Sequence, residues 1–151
     1  MIKLITVGKI KEAYFRDAIA EYQKRIQKYG KVELIEVADA SYDNPNLVLE
    51  KEKLNIEKYI SPSDFIITLE IEGNQLDSVT FSDMIEKWQM QNGTICFIIG
   101  GSYGIHEEIK KRSNYSLSFS KMTFPHQLFR IILLEQIYRS YRILKNESYH
   151  K

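Results

Sequence analysis

Apolar residues gather in five short runs, and the stretches between them carry apolar positions at helical spacing. Residues 2–7, 32–37, 65–71, 95–99 and 115–119 are the runs, each bounded by glycine, proline or small polar residues, and they predict strands. Between the first two, Phe15, Ala18, Ile19, Tyr22 and Ile26 share one face of a helix over 12–28, with Gly30 positioned to cap it. Residues 38–46 are polar, contain Pro45 and read as a loop before a patchier helix over 47–60. Glu72-Gly73-Asn74 predicts a turn ending the third strand. Thr80 with Asp83 marks a helix start, Phe81, Met84, Ile85 and Trp88 give that helix its apolar face, and Asn92-Gly93 stops it. A short helix over 105–112 follows the fourth strand. The last helix takes Thr123 as its cap and Pro125 in its first turn, with Leu133, Ile137, Tyr141 and Leu144 facing the core. Strands alternating with helices predict one α/β domain over 1–151, with a mostly parallel sheet flanked by helices.

The pattern also points to a site. In open α/β sheets, ligands sit beyond the carboxyl ends of strands. Two such ends fall close together between residues 95 and 130, one on Gly100-Gly101-Ser102-Tyr103-Gly104 and the other on Ser120-Lys121-Met122-Thr123. The glycine loop does not have the G-x-G-x-x-G spacing of a dinucleotide site, and Lys121 stands where a ribose-binding acid belongs. The P-loop pattern is absent as well. Alone, the loop suits a plain strand-to-helix turn better than a ligand cradle.

Composition changes the picture little. A formal charge of +1 over 151 residues announces no nucleic-acid binder, so any basic surface is local. The single cysteine, Cys96, lies in an apolar run and reads as a buried hydrophobe. His106, His126 and His150 show no metal-ligand spacing, so no metal site is expected. His106 reads as a surface or capping residue, and His126 suits either a packed or a site role. No membrane-length run or signal peptide appears, which makes the cytoplasm the expected compartment. Arg130, Arg139, Arg142, Lys145 and Lys151, with Tyr138, Tyr141 and Tyr149 among them, suit RNA phosphates and bases as well as they suit a solvated basic face.

Several motifs together resemble one family. They are Ile5-Thr6-Val7-Gly8-Lys9, Ile67-Thr68-Leu69-Glu70, Phe97-Ile98-Ile99-Gly100-Gly101-Ser102, the run from Leu117 through Ser120-Lys121-Met122-Thr123-Phe124-Pro125-His126-Gln127, Glu135-Gln136-Ile137-Tyr138-Arg139 and Tyr149-His150-Lys151. With these the chain resembles, over essentially its whole length, the ribosomal RNA large subunit methyltransferase H family of the SPOUT class. The resemblance implies an α/β fold with a deep C-terminal trefoil knot and S-adenosylmethionine as cofactor. It also implies a homodimer that methylates N3 of a pseudouridine in 23S ribosomal RNA on the assembled ribosome. By position, Leu69, Gly100, Phe119, Ser120, Lys121, Met122, Thr123 and Phe124 are the cofactor-binding candidates. Tyr149, His150, Lys151, Arg139 and Arg142 are the catalytic candidates, with His150 as a possible proton acceptor and the cations stabilising a developing imidate. The dimer expectation falls on apolar residues left over on the last helix, Ile131 or Leu134. Two other readings stay open on sequence: a non-catalytic ribosome-binding protein on the same fold, and an enzyme using a different nucleotide.

Overall fold

The computed structural model describes residues 1–151. Its elements run β1 (Ile2–Val7), α1 (Ala13–Ile26), β2 (Val32–Val37), α2 (Pro45–Glu57), β3 (Phe65–Gln75), α3 (Ser78–Asn92), β4 (Ile95–Ile99), α4 (Glu107–Arg112), β5 (Tyr115–Ser118) and α5 (His126–Leu144). All four strand pairings are parallel, in the order β2-β1-β4-β3-β5. Every strand therefore points its carboxyl end to the same edge, and the loops after β3, β4 and β5 meet there.

Side-chain alternation divides the core in two. Ile2, Leu4, Ile67, Ile95, Phe97 and Leu117 pack with α1, α3 and α5. Ile5, Val7, Ile66, Cys96 and Ile98 pack with Ile56 of α2 and Ile109 of α4 on the opposite face. Both faces are covered over β1 and β4, which is why those two strands read as near-continuous apolar runs, whereas β5 alternates. Cys96 is buried, and burial pushes its thiol up to about 12, so it serves as packing rather than as a nucleophile.

Several local expectations give way to the structure. Pro45 opens α2 instead of lying in a loop. Its missing N–H costs nothing at the first helical position, and Asn44 caps the helix by accepting the Asn46 amide at 2.9 Å. α1 ends at Ile26 with Gln27 as cap, so Gly30 is not its terminator. Gly30 instead lies where a side chain would press on the Tyr141 hydroxyl. Asp77, not Thr80, caps α3, its carboxylate accepting the Thr80 amide at 2.7 Å. Thr123 does not cap α5, which begins at His126 after Pro125 with no side-chain cap.

The largest departure is β3. It runs on through Glu72-Gly73-Asn74, where a turn was expected. Leu117 of β5 pairs with Leu69 and again with Asn74, so the four residues between them bulge out of the ladder. Gly73 permits the approach, since a Cβ there would lie 2.9 Å from backbone carbons of Ser116 and Leu117.

Two residues of α5 also correct the reading. Arg130 is only 1% exposed and donates to Glu36 at 2.8 Å and to the Val7 and Gly8 carbonyls at 2.9 Å each. It fastens α5 to the end of β1 and offers nothing to RNA. Leu134 is fully buried in the larger core and is not free to meet a second copy.

Candidate functional site

The ends of β3, β4 and β5 open on a cleft of about 380 Å³. Seven of the eight sequence candidates line it: Leu69, Gly100, Phe119, Ser120, Met122, Thr123 and Phe124. Lys121 does not, and it is exposed on the same loop. The loop holds its shape through Ser118, whose single hydroxyl proton is set between the Ile71 carbonyl at 2.8 Å and the Ser120 carbonyl at 3.1 Å. Phe119 packs edge-on against Phe129, and Phe124 stacks on Phe129, with ring centroids 5.0 and 5.8 Å apart.

The glycine loop closes on itself rather than only on a ligand. A side chain at Gly100 would collide with the Gly104 carbonyl and approach Ile105 within 2.9 Å. Gly104 has φ +82°, a conformation glycine adopts freely. A bulky residue at Gly100 therefore disrupts the loop itself and does not isolate cofactor binding. Gly101 and Gly104 pair in an antiparallel bridge, whereas the Ser102 amide, on a residue lining the cleft, makes no hydrogen bond within the chain.

Three further lining groups were missed from the sequence: Glu70, Glu72 and Lys110. The Glu70 carboxylate accepts from Thr68 at 2.7 Å and from Ser116 at 2.8 Å, with Lys110 at 3.8 Å. For the two glutamates the available signal was their place just after Leu69, whereas Lys110 comes from α4. His126 joins the cleft too. Burial holds its imidazole below the usual histidine range, and Arg130 adds to that. His106, by contrast, caps α4 by accepting the Glu108 amide at 3.0 Å, as expected.

The C-terminal candidates form a second cluster. Arg139 donates twice to Glu135, at 3.2 and 2.9 Å. The Tyr149 hydroxyl donates to the same carboxylate at 2.7 Å, and the Arg139 guanidinium lies 4.7 Å from the Tyr149 ring centroid. Burial first, then Glu135, pushes the Tyr149 hydroxyl up to about 12, so it remains a proton donor. Arg142 donates to Glu147 at 2.7 Å and to the Ser148 carbonyl at 2.8 Å, which turns the chain back after α5. The tail through Tyr149 is therefore packed onto α5, with the Tyr149 ring against the larger core. Arg139 and Arg142 are engaged inside the chain, while Lys145 and Lys151 are exposed.

His150 is exposed and meets Arg139 through Nδ1 at 3.1 Å. A guanidinium only donates, so Nδ1 must accept. In the neutral ring the proton then sits on Nε2, which makes that nitrogen a donor. No cluster of three or more metal-ligating side chains is present, and no helix is long and apolar enough to cross a membrane.

A parallel sheet with a glycine-bordered cleft at its carboxyl edge is the arrangement in which open α/β sheets hold ligands. Solved structures agree on the fold. A probable methylase family protein from Haemophilus influenzae Rd KW20 superposes with a TM-score of 0.58 at 13% identity, covering 99% of this chain and 70% of that one. A probable methyltransferase from Bordetella pertussis Tohama I gives 0.59 at 11% identity, covering 92% and 93%. The profile of the family described as predicted SPOUT methyltransferase matches residues 1–150. Ribosomal RNA large subunit methyltransferase H of Clostridium botulinum (strain Kyoto / Type A2) is 52% identical, and that of Clostridium beijerinckii 49%, each over 99% of both chains. The chain belongs to the SPOUT methyltransferase family, in its ribosomal RNA large subunit methyltransferase H branch.

Proposed function

We propose that residues 1–151 form a single methyltransferase domain that moves a methyl group from S-adenosylmethionine to N3 of a pseudouridine in 23S ribosomal RNA. The homodimer acts on the assembled ribosome, and the cytoplasm is then its compartment. The observation that carries this reading is the cleft at the strand ends. Its composition suits that cofactor, in a chain half identical to enzymes named for ribosomal RNA methylation.

The fit rests on the lining. Phe119, Phe124 and Phe129 offer aromatic faces for a purine, and the Ser102 amide offers a donor. The carboxylates of Glu70 and Glu72 suit a ligand with a sulfonium and an ammonium group. Leu69, Gly100, Ser120, Met122 and Thr123 complete the wall, while Lys121 holds no cofactor atom in this reading. In the trefoil knot that family membership implies, the three loops close round the cofactor together.

When bound, S-adenosylmethionine supplies a methyl group on a sulfonium, which leaves as a neutral thioether while N3 of the acceptor gives its proton to solvent. The chain mainly positions the two reactants. The acceptor imide becomes an imidate as the proton leaves, and a donor at the adjoining carbonyl oxygen stabilises that charge. His150 supplies the donor through Nε2–H, and Arg139 holds the ring in that tautomer. This role replaces the proton-accepting one expected of His150, because its other nitrogen already accepts from Arg139. Lys151 and Lys145 remain for RNA phosphates.

Dimerisation is part of the proposal. Ile71 and Met122 are exposed at the cleft, and Tyr103 and Leu128 are exposed next to lining residues, an apolar rim that suits a second copy. Calorimetry with S-adenosylmethionine, S-adenosylhomocysteine, ATP and NAD tests the cofactor. Binding of the first two alone is expected. Binding of ATP or NAD instead, or of none, contradicts it.

A further inference from the structure

The lining of the cleft at the strand ends carries few formal charges. Glu70 and Glu72 are its acids, and Lys110 is its one cation, because burial holds the His126 imidazole below the usual histidine range. S-adenosylmethionine carries the complementary set: a sulfonium and an ammonium as cations, and a carboxylate as the one anion.

The charged and aromatic groups stand on opposite faces of the sheet. Ile66 belongs to the smaller core, so alternation along β3 sends Thr68 and Glu70 to the same side, where α4 packs through Ile109. Lys110 follows Ile109 directly. Phe119 and Phe129 pack instead against the larger core on the other face. The cleft therefore has an aromatic end and a charged end.

At the charged end Glu70 is fixed but not saturated. Its Oε2 accepts from the Thr68 hydroxyl at 2.7 Å and from the Ser116 hydroxyl at 2.8 Å. Its Oε1 lies 3.8 Å from Lys110 Nζ, and that nitrogen lies 3.6 Å from Glu107. Both separations exceed hydrogen-bond range, so the donors of Lys110 and the lone pairs of Oε1 stay open. An α-amino acid presents the opposite pair at similar spacing. Its ammonium nitrogen and carboxylate oxygens are about 3 Å apart by ordinary bond geometry. Laid against Glu70 and Lys110, each of its charges meets an opposite one through a charge-assisted hydrogen bond.

We propose that Glu70 and Lys110 together hold the amino-acid end of the cofactor, Lys110 pairing with its carboxylate and Glu70 with its ammonium, while the purine lies at the aromatic end. This assignment rests on the methyl transfer proposed above and names the residues that select a cofactor with an amino-acid tail. Both are binding residues in this account and take no part in bond making.

The test is calorimetry with three ligands: S-adenosylhomocysteine, its analogue lacking the carboxylate and its analogue lacking the amino group. The Lys110 side chain is 35% exposed, so Lys110→Met keeps the stem and the fold. Glu70→Gln keeps an oxygen for Thr68 and Ser116. Lys110→Met is expected to lose about tenfold in affinity for S-adenosylhomocysteine and for the deaminated analogue, and nothing for the decarboxylated one. Glu70→Gln is expected to lose affinity for S-adenosylhomocysteine and for the decarboxylated analogue, and nothing for the deaminated one. Lys110→Arg, which keeps the charge, is expected to restore most of the binding that Lys110→Met loses. Equal losses on all three ligands, or no loss on any, overturn the assignment and leave the methyltransferase reading standing. Wild type that binds S-adenosylhomocysteine no more tightly than the two analogues does the same. Wild type that binds none of the three overturns both.

Discussion

The contact between Arg139 and His150 decides what the imidazole can do. Because Nδ1 accepts from a guanidinium, the proposed role is donation from Nε2. Glutamine places an N–H donor at similar reach, whereas alanine places none. His150→Gln is therefore expected to retain most single-turnover methylation with a pH profile of wild-type shape, and His150→Ala to lose about tenfold or more. Equal losses in the two variants, with an altered profile, make His150 a base instead. Glu52 of α2 lies behind the glycine loop, 4% exposed, and a side chain at Gly101 would meet its Oε1 at 3.1 Å. Burial raises its carboxyl above the ordinary range, against the opposing Ala40 amide, which donates at 3.1 Å. A raised value means the fold penalises the ionised form. The penalty is absent below the unfolded-state carboxyl value of about 4.3 and is complete once the pH has passed the folded-state value. Glu52→Gln is expected to raise the melting temperature by ~2–4 °C at pH 8, for a gain of about 1 kcal/mol, and to lose that gain towards pH 4. A difference independent of pH contradicts the argument.

The elements were legible where one signal governed them. Runs buried on both faces announced β1 and β4, and Asn92-Gly93 stopped α3 with Gly93 at φ +81°. The bulge in β3 was not legible. Gly73-Asn74 carries turn chemistry, and only the partner strand, 42 residues on in the Asn74–Ser116 contact, turns that chemistry into a close crossing. Asp77 was overlooked as a cap for a related reason, because Thr80 and Asp83 offered an equally good local start. The bulge also carries Glu70 and Glu72 into the cleft, so it ties packing to the site. Gly73→Ala is expected to push β5 from β3, to cost about 1–3 kcal/mol in urea unfolding and to weaken S-adenosylhomocysteine binding. Wild-type stability with wild-type affinity shows that the crossing has room to spare.

At the scale of the molecule, the cleft at the strand ends was largely legible in the chain and the packing of the last helix and tail was not. Strand ends are local features, and with the family resemblance they singled out Leu69, Gly100 and Phe119 to Phe124, all of which but Lys121 line the cleft. The partners of Arg130 lie more than 90 residues away in Glu36 and Val7, and a basic residue among aromatics looks the same from sequence whether it is buried or free. The parallel sheet directs three loops to one edge, and α5 carries the tail cluster. The central claim is that this arrangement methylates one imide nitrogen on the ribosome. The direct measurement supplies labelled S-adenosylmethionine to 70S ribosomes and, in parallel, to free 23S RNA, followed by digestion and identification of the labelled nucleoside. The account predicts label in 3-methylpseudouridine from the ribosomes and far less from free RNA. Label in another nucleoside, or none from ribosomes, contradicts it.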